Sequence, residues 1–165
     1  MPLLLKGLKV LQDIRSQLQN PEFCDVTIIA TDGEIPVNKT ILSMRSQYFR
    51  SMFSPKNNFQ ESKTNTVKMP YTKAVLEKVI IYICGGKMDC EDMEFRPLLD
   101  LLDLLKMMNL SEEFSAVEGF TKDSIKKGSF PIPDCLKYLD DSSKLGLNSV
   151  GETLLSYLGR IGLKL

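Results

Sequence analysis

A two-residue turn signal, Asp32-Gly33, constrains the fold of this chain more than any other feature of its sequence. It separates a β-branched run, residues 26–30, from a second short stretch, residues 34–37. Asp-Gly between two such runs is typical of a β-hairpin. Pro36 has no N–H group to donate to a neighbouring strand, so we expect the second strand to lie at a sheet edge or to end there.

Helical periodicity surrounds this hairpin. Residues 3–19 carry apolar side chains at helical spacing, with a polar face opposite, and predict an amphipathic helix. Two short helices are predicted after the hairpin, with Ser46 as the N-cap of the second. Residues 65–69 predict one more short strand. The order of elements therefore indicates an α+β fold, mostly helical, with a short three-stranded sheet.

Two stronger helices follow in the sequence. Thr72 is predicted to cap the first, which ends at Gly85-Gly86. The second covers residues 97–108, where only three charged side chains, three apart, interrupt a run of apolar residues. We expect this helix to be buried on most of its circumference. Ser111, followed by two glutamates, marks the start of a further helix.

The C-terminal part predicts a helical hairpin. A Gly/Ser/Pro-rich break at 127–134 precedes two amphipathic stretches, CLKYLDDSSKLGL and SVGETLLSYLGRI. The predicted apolar positions are Leu136, Leu139, Leu145, Leu147, Leu154, Leu155 and Leu158. A two-helix hairpin alone buries too little apolar surface to be stable, so we expect it to dock on the preceding domain or on something further along the chain.

Composition excludes several classes of function. Lys+Arg and Asp+Glu are both 21, so no excess of positive charge favours nucleic acid as a ligand. The absence of histidine excludes Ser-His, Cys-His and His-metal chemistry. No G-x-S-x-G, P-loop or G-x-G-x-x-G motif occurs. We therefore expect a protein that is not an enzyme and that has no catalytic residue and no cofactor.

Cysteine usage and hydropathy suggest a cellular compartment. The four cysteines, Cys24, Cys84, Cys90 and Cys135, form no C-x-x-C pair, so no metal site is predicted. Without a signal peptide, they are typical of reduced intracellular thiols. No run approaches the ~20 apolar residues of a membrane-spanning helix. We expect an intracellular protein, cytoplasmic or nuclear, that does not interact with membranes.

The stretch CDVTI...GEIPVNKTILSMRSQYFRSMF resembles the BTB/POZ domain family. The matching segments are residues 24–27 at the start, 36–39 in the family's Ala-His-Lys region, and 45–49 with 52–53 in its helical pair. The resemblance spans about residues 3–115. Asn38 stands where the family usually carries a non-catalytic His. An amide can replace one hydrogen bond of a neutral imidazole but cannot titrate.

The resemblance implies three parts: an N-terminal dimerisation helix (1–20), a BTB/POZ domain (21–115) and a partial BACK-like helical extension (116–165), as in BTB–kelch-like adaptors. In the family, the first helix packs against the partner subunit of a homodimer. The implied dimer-interface positions are Leu4, Leu8, Leu11, Ile14 and Leu18. The alternative is that this helix folds back on its own core.

The resemblance also implies a binding partner. Family adaptors of cullin-RING E3 ubiquitin ligases bind the cullin N-terminal region through a hydrophobic residue followed two positions later by Glu. This motif lies just after the helix that ends in Met-Phe. Phe59-Gln60-Glu61 has that spelling and position, and the same resemblance assigns Tyr82 to the interface. The alternative is that Phe59 packs on its own domain. No substrate-binding module is recognisable, so the substrate protein is unknown.

A second function fits the same family. A BTB dimerisation scaffold, for example transcriptional or cytoskeletal, does not bind a cullin. Transcriptional members carry a charged pocket that corresponds here to Asp25 and Lys39. The alternative is that these two groups satisfy each other or the backbone. Balanced charge and the predicted C-terminal hairpin favour the adaptor.

Overall fold

The computed structural model of the chain describes residues 20–57, 64–85 and 87–163. The chain divides into two compact units, one up to Asp89 and the other from Cys90 onward. The first unit contains β1 (Val26–Ile29), β2 (Glu34–Val37), α1 (Lys39–Arg45), α2 (Gln47–Phe53), β3 (Thr66–Lys68) and α3 (Lys73–Ile83). The second contains α4 (Phe95–Met107), α5 (Ser111–Lys127), α6 (Ile132–Lys137), α7 (Leu139–Lys144) and α8 (Asn148–Arg160).

The predicted hairpin and the third strand form a mixed three-stranded sheet, which confirms the α+β class. β1 lies in the centre, antiparallel to β2 and parallel to β3. The turn between β1 and β2 is closed by the Ala30 N–H, which donates to the Gly33 carbonyl at 2.8 Å. Pro36 pairs with Thr27 on the edge strand β2, as predicted, so its missing N–H does not interrupt the sheet.

Two predicted helix N-caps in the first unit can be compared with the structure. The side-chain capping bond is present at one of them and absent at the other. Ser46 ends α1 and begins α2, and its Oγ accepts from the Phe49 N–H at 3.5 Å, as predicted. Thr72 makes no side-chain capping bond. The Lys73 N–H donates instead to Asp32 Oδ1 at 2.6 Å. Thr72 therefore occupies the N-cap position of α3, as predicted, but the carboxylate that accepts from the first turn comes from Asp32 in the hairpin turn.

The second unit is organised around α4, and the prediction of a largely buried helix is confirmed. The buried side chains of this helix are Phe95, Leu98, Leu99, Leu101, Leu102, Leu104 and Leu105. Within the unit α4 packs on α5, α5 on α8, and α8 on α7. Arg96 joins α4 to α7 because its guanidinium group donates to Asp141 Oδ2 at 2.7 Å.

The predicted C-terminal hairpin differs from the structure in two respects. Its first arm is divided at Tyr138 into the short helices α6 and α7. Leu136 and Leu155, two of the predicted apolar positions of the hairpin, are 39% and 48% exposed. The buried stripe of α8 runs through Val150, Leu154 and Leu158 at helical spacing, and Leu155 lies beside that stripe. In α6 the buried side chain is Cys135 instead of Leu136.

Two predictions, the N-terminal helix and the domain boundaries, are not tested by the described residues. The amphipathic helix at 3–19 lies outside the described residues. The predicted domain boundaries at residues 20 and 115 stay predictions. Among the helices that the structure describes, none has the length and apolar character needed to cross a membrane.

Candidate protein-interaction site

The connection between α2 and β3 contains the predicted cullin-binding motif. α2 ends at the buried Phe53, and β3 begins at Thr66. A short 3₁₀ turn, Pro55–Asn57, follows α2. Phe59 and Glu61 lie outside the described residues, so the structure defines the two ends of the connection and the motif itself stays a prediction.

The N-terminus of α1 lies near the two described ends of this connection and is held by two polar side chains. Asn38 Oδ1 accepts from the Ile41 N–H at 2.9 Å, while Asn38 Nδ2 donates to the Phe23 carbonyl at 2.6 Å. Asp25 Oδ1 accepts from the Lys39 N–H at 2.7 Å. Because both caps satisfy free N–H groups of the first turn, they fix where α1 begins.

The structure brings the two predicted charged-pocket residues together through the backbone of Lys39. The Asp25 carboxylate accepts from the Lys39 N–H, as described above. The Lys39 ammonium group donates to Asn65 Oδ1 at 3.1 Å and lies 5.2 Å from the centroid of the Phe53 ring. Sequence reasoning missed Asn65. The one indication in the sequence is that an asparagine, a residue type that tolerates positive φ, stands at the start of the predicted third strand.

The other predicted site residues lie in different places. Tyr82 is half-buried in the last turn of α3, where its carbonyl accepts from the Gly85 N–H at 2.9 Å. The predicted dimer-interface positions, Leu4, Leu8, Leu11, Ile14 and Leu18, lie outside the described residues. The structure therefore brings Asp25 and Lys39 together, and the cullin-binding and dimer assignments stay predictions.

Two buried cysteines, Cys84 and Cys135, offer little reactivity. Burial raises the pKa of Cys84 to about 11, an effect that the nearby Arg45 guanidinium only partly opposes. Burial also raises the pKa of Cys135. A thiol with a raised pKa is a poor nucleophile at neutral pH. Within the described residues, no group of three or more His, Cys, Asp or Glu side chains could hold a metal ion.

Comparison with known sequences identifies similar proteins. The family model of the BTB/POZ domain matches residues 14–117. The chain is 30% identical over 108 residues to Kelch-like protein 2 of Rattus norvegicus and to Kelch-like protein 3 of Homo sapiens. Each alignment covers 65% of this chain, but only 17% and 18% of the respective relative. The chain therefore matches less than a fifth of the length of these curated relatives.

Solved structures show a similar fold. The BTB domain of human Gigaxonin has a TM-score of 0.54 and 21% identity, over 70% of this chain and 90% of that one. The BTB domain of zebrafish PATZ1 has a TM-score of 0.57 and 18% identity, over 72% of this chain and 93% of that one. At these identities the similarity concerns the fold alone.

Proposed function

The chain belongs to the BTB/POZ domain family, and on that premise we propose that it acts as a homodimeric substrate adaptor of a cullin-RING E3 ubiquitin ligase. The family's domain is a protein-interaction module, which needs a recognition surface and no catalytic group. In this proposal the chain binds a second copy of itself, a cullin N-terminal region and a substrate protein.

The position of Phe59-Gln60-Glu61 along the fold carries the proposal. α2 ends in Met52-Phe53 and β3 begins at Thr66, so the motif falls on the connection that follows the helical pair. By resemblance, this is where adaptors of the family carry a hydrophobic residue and a Glu two positions later. An apolar anchor beside a directional acceptor is a common basis of protein–protein affinity. The similarity to Kelch-like proteins agrees with an adaptor.

The helices after the family match support an extended adaptor. The matched region ends at residue 117, inside α5, and three further helices follow it in the described chain. We take residues 116–165 to be the beginning of a BACK-like extension. Since no substrate-binding module is recognisable in this sequence, the substrate is not assigned.

Substitution of the motif tests the cullin partner. The double variant Phe59→Ala, Glu61→Lys should weaken binding of a cullin N-terminal region by more than ~2 kcal/mol, because it removes the anchor and reverses the charge of the acceptor. Isothermal titration calorimetry would measure this loss as an increase in Kd of about thirtyfold or more. The melting temperature should remain nearly the same. Gln60→Ala, between the two positions, is the matched control and should retain affinity.

Two results would contradict this assignment. A large drop in melting temperature for the double variant would mean that Phe59 belongs to the core and is not a binding anchor. If the native chain has no measurable affinity for any cullin N-terminal region, the dimerisation scaffold that binds no cullin is the better description.

A further inference from the structure

A cleft of about 650 Å³ lies within the second unit, between the segment that leads into α4, one face of α5 and the start of α6. Phe120, Ser124 and Lys127 line it from α5, where their spacing places them on one face of the helix. Phe130 lines it from the connection between α5 and α6, and its ring stacks on the buried Phe95 at a centroid distance of 4.6 Å. The cleft therefore has an aromatic wall that is packed against the core of its unit.

The turn after α5 fixes the side of the cleft that carries Phe130. Gly128 ends the helix with a φ of 72°, in the left-handed region, and its N–H donates to the Ile125 carbonyl at 3.0 Å. The Ser129 N–H donates to the Ser124 carbonyl, also at 3.0 Å. Because the backbone on this side is already hydrogen-bonded, a ligand would enter a preformed cleft, and little conformational entropy would be lost on binding.

Acidic side chains dominate the charge of the cleft. Its lining contains the carboxylates of Glu91, Asp92, Glu94 and Asp134, against the single ammonium group of Lys127. In the part of the chain that the structure describes, no ion pair involves Asp92, Glu94 or Asp134. Glu94 is the N-cap residue of α4 and makes no side-chain capping bond. The cleft therefore offers negative charge to a cation from a partner.

A buried hydroxyl is a second, independent indication of a ligand. Ser124 lines the cleft although its side chain belongs to a residue that is only 9% exposed. Within the described residues, its Oγ takes part in no hydrogen bond. No fully buried side-chain oxygen or nitrogen of these residues lacks a partner, so this hydroxyl must be accessible from the cleft. A polar group at this depth can both donate and accept, and it is stabilised by a ligand that hydrogen-bonds to it.

We infer that this cleft binds an arginine side chain from a basic segment of a partner protein. A guanidinium group is planar, permanently charged and carries five N–H donors. It can therefore lie against the rings of Phe120 and Phe130 while it donates to the carboxylates and to the Ser124 hydroxyl. A lysine ammonium group has no flat face for such a contact, and an acidic segment would be repelled. The inference concerns the second unit alone and does not rest on the proposed function.

Titration of the full chain with a short peptide, followed by NMR, tests this inference. The probe is the acetylated and amidated peptide Ala-Arg-Ala-Arg-Ala, and its matched control carries citrulline, which has the shape of arginine without its charge. We expect the arginine peptide to bind at low salt with a Kd of about 0.1–1 mM, and the citrulline peptide about fivefold more weakly or worse. Chemical-shift changes should be largest at the amides of Phe120, Ser124 and Phe130. Added salt should raise the Kd, because it screens the exposed carboxylates.

Variants of the lining separate the contributions to binding. Asp92→Asn with Glu94→Gln should raise the Kd about fivefold, because two charged acceptors are lost. Ser124→Ala keeps every charge and should raise the Kd about threefold by loss of one hydrogen bond. Lys127→Gln should lower the Kd, since it removes the one ammonium group that repels arginine. Glu112→Gln, at an exposed glutamate in the first turn of α5 and outside the lining, is the matched control and should leave the Kd unchanged.

Each result supports or overturns the inference. Equal binding of the two peptides would overturn it, and so would shift changes that lie away from the cleft. An effect of Glu112→Gln as large as that of the double acidic variant would mean attraction to the whole surface and not a site. If Ser124→Ala lowers the melting temperature, the exposed positions Asp92, Glu94 and Lys127 decide the outcome, because their substitution leaves the core intact. No change of Kd in those variants would overturn the inference.

Discussion

Asn38 replaces the family's histidine with two hydrogen bonds to the backbone. Its amide accepts from Ile41 and donates to Phe23, so one side chain both caps α1 and fixes the segment before β1. The comparison with imidazole led us to expect only one replaced bond. Because neither contact involves an ionisable group, the start of α1 acquires no pH dependence from this residue.

A second single residue, Cys84, gives a testable prediction. With its pKa raised to about 11 by burial, its thiol should remain unmodified by iodoacetamide in the native protein at pH 8. Unfolding in denaturant should expose it to full modification, detected by peptide mass spectrometry. Rapid modification of Cys84 in the native protein would contradict the burial that raises its pKa.

The same pKa shift has a consequence for stability. The ordinary pKa of the thiol is 9.0, and the folded value lies above it. The contribution of this group to stability is therefore complete below pH 9 and is lost as the pH rises toward 11, because the unfolded state gives up its proton first. Cys84→Val should remove that part of the alkaline loss of stability.

At the scale of elements, the N-terminus of α3 distinguishes the Asp32 carboxylate, which accepts a hydrogen bond there, from the Thr72 hydroxyl, which does not. Asp32→Ala should lower the free energy of unfolding by about 1 kcal/mol, since it removes the acceptor for the Lys73 N–H. Thr72→Ala is the matched control and should have little effect, because the hydroxyl makes no capping bond. Urea denaturation of both variants would measure the difference. An equal loss in both would contradict the assignment.

Most elements were predictable from local patterns, and the failures have a common cause. The strands and the buried helix α4 follow from alternation, turn residues and apolar periodicity. The division of the first C-terminal arm into α6 and α7 at Tyr138 does not follow from such patterns. That ring makes an edge-to-face contact with Phe95 and lies beside Arg96, both distant in sequence. Tertiary packing of this kind overrides local helical periodicity and is not visible in a single stretch of residues.

At the scale of the whole molecule, self-association is the main expectation. Leu8→Asp with Leu11→Asp should give a monomer or an unfolded protein, because burial of each Leu contributes roughly 2 kcal/mol. Light scattering would measure the mass. Lys9→Asp, on the predicted polar face of the same helix, is the matched control and should leave the dimer unchanged. A dimer mass retained by the double Leu variant would exclude this helix as the interface.

For the candidate site the sequence predicts residues and not geometry, and the assignments of Phe59 and Glu61 stay predictions. The motif spelling and its place after the helical pair indicated Phe59 and Glu61. The contacts of Lys39 required the fold, because its acceptor Asn65 is 26 positions away and lies next to the parallel pairing of β3 with β1. Family resemblance suggested Lys39 as part of a charged pocket, whereas the contacts of its ammonium group are with an amide and a ring.

The bond between Asp32 and Lys73 also bears on how long the native state persists. It links groups 41 positions apart, so forming it requires closure of a long loop that includes α1, α2 and β3. If the bond forms only after the pairing of β1 with β3 has closed most of this loop, it is absent from the transition state. Loss of the carboxylate should then accelerate unfolding and leave the folding rate almost unchanged. A cap contributed by a distant turn would thus lengthen the lifetime of the folded chain more than it helps the chain to reach that state.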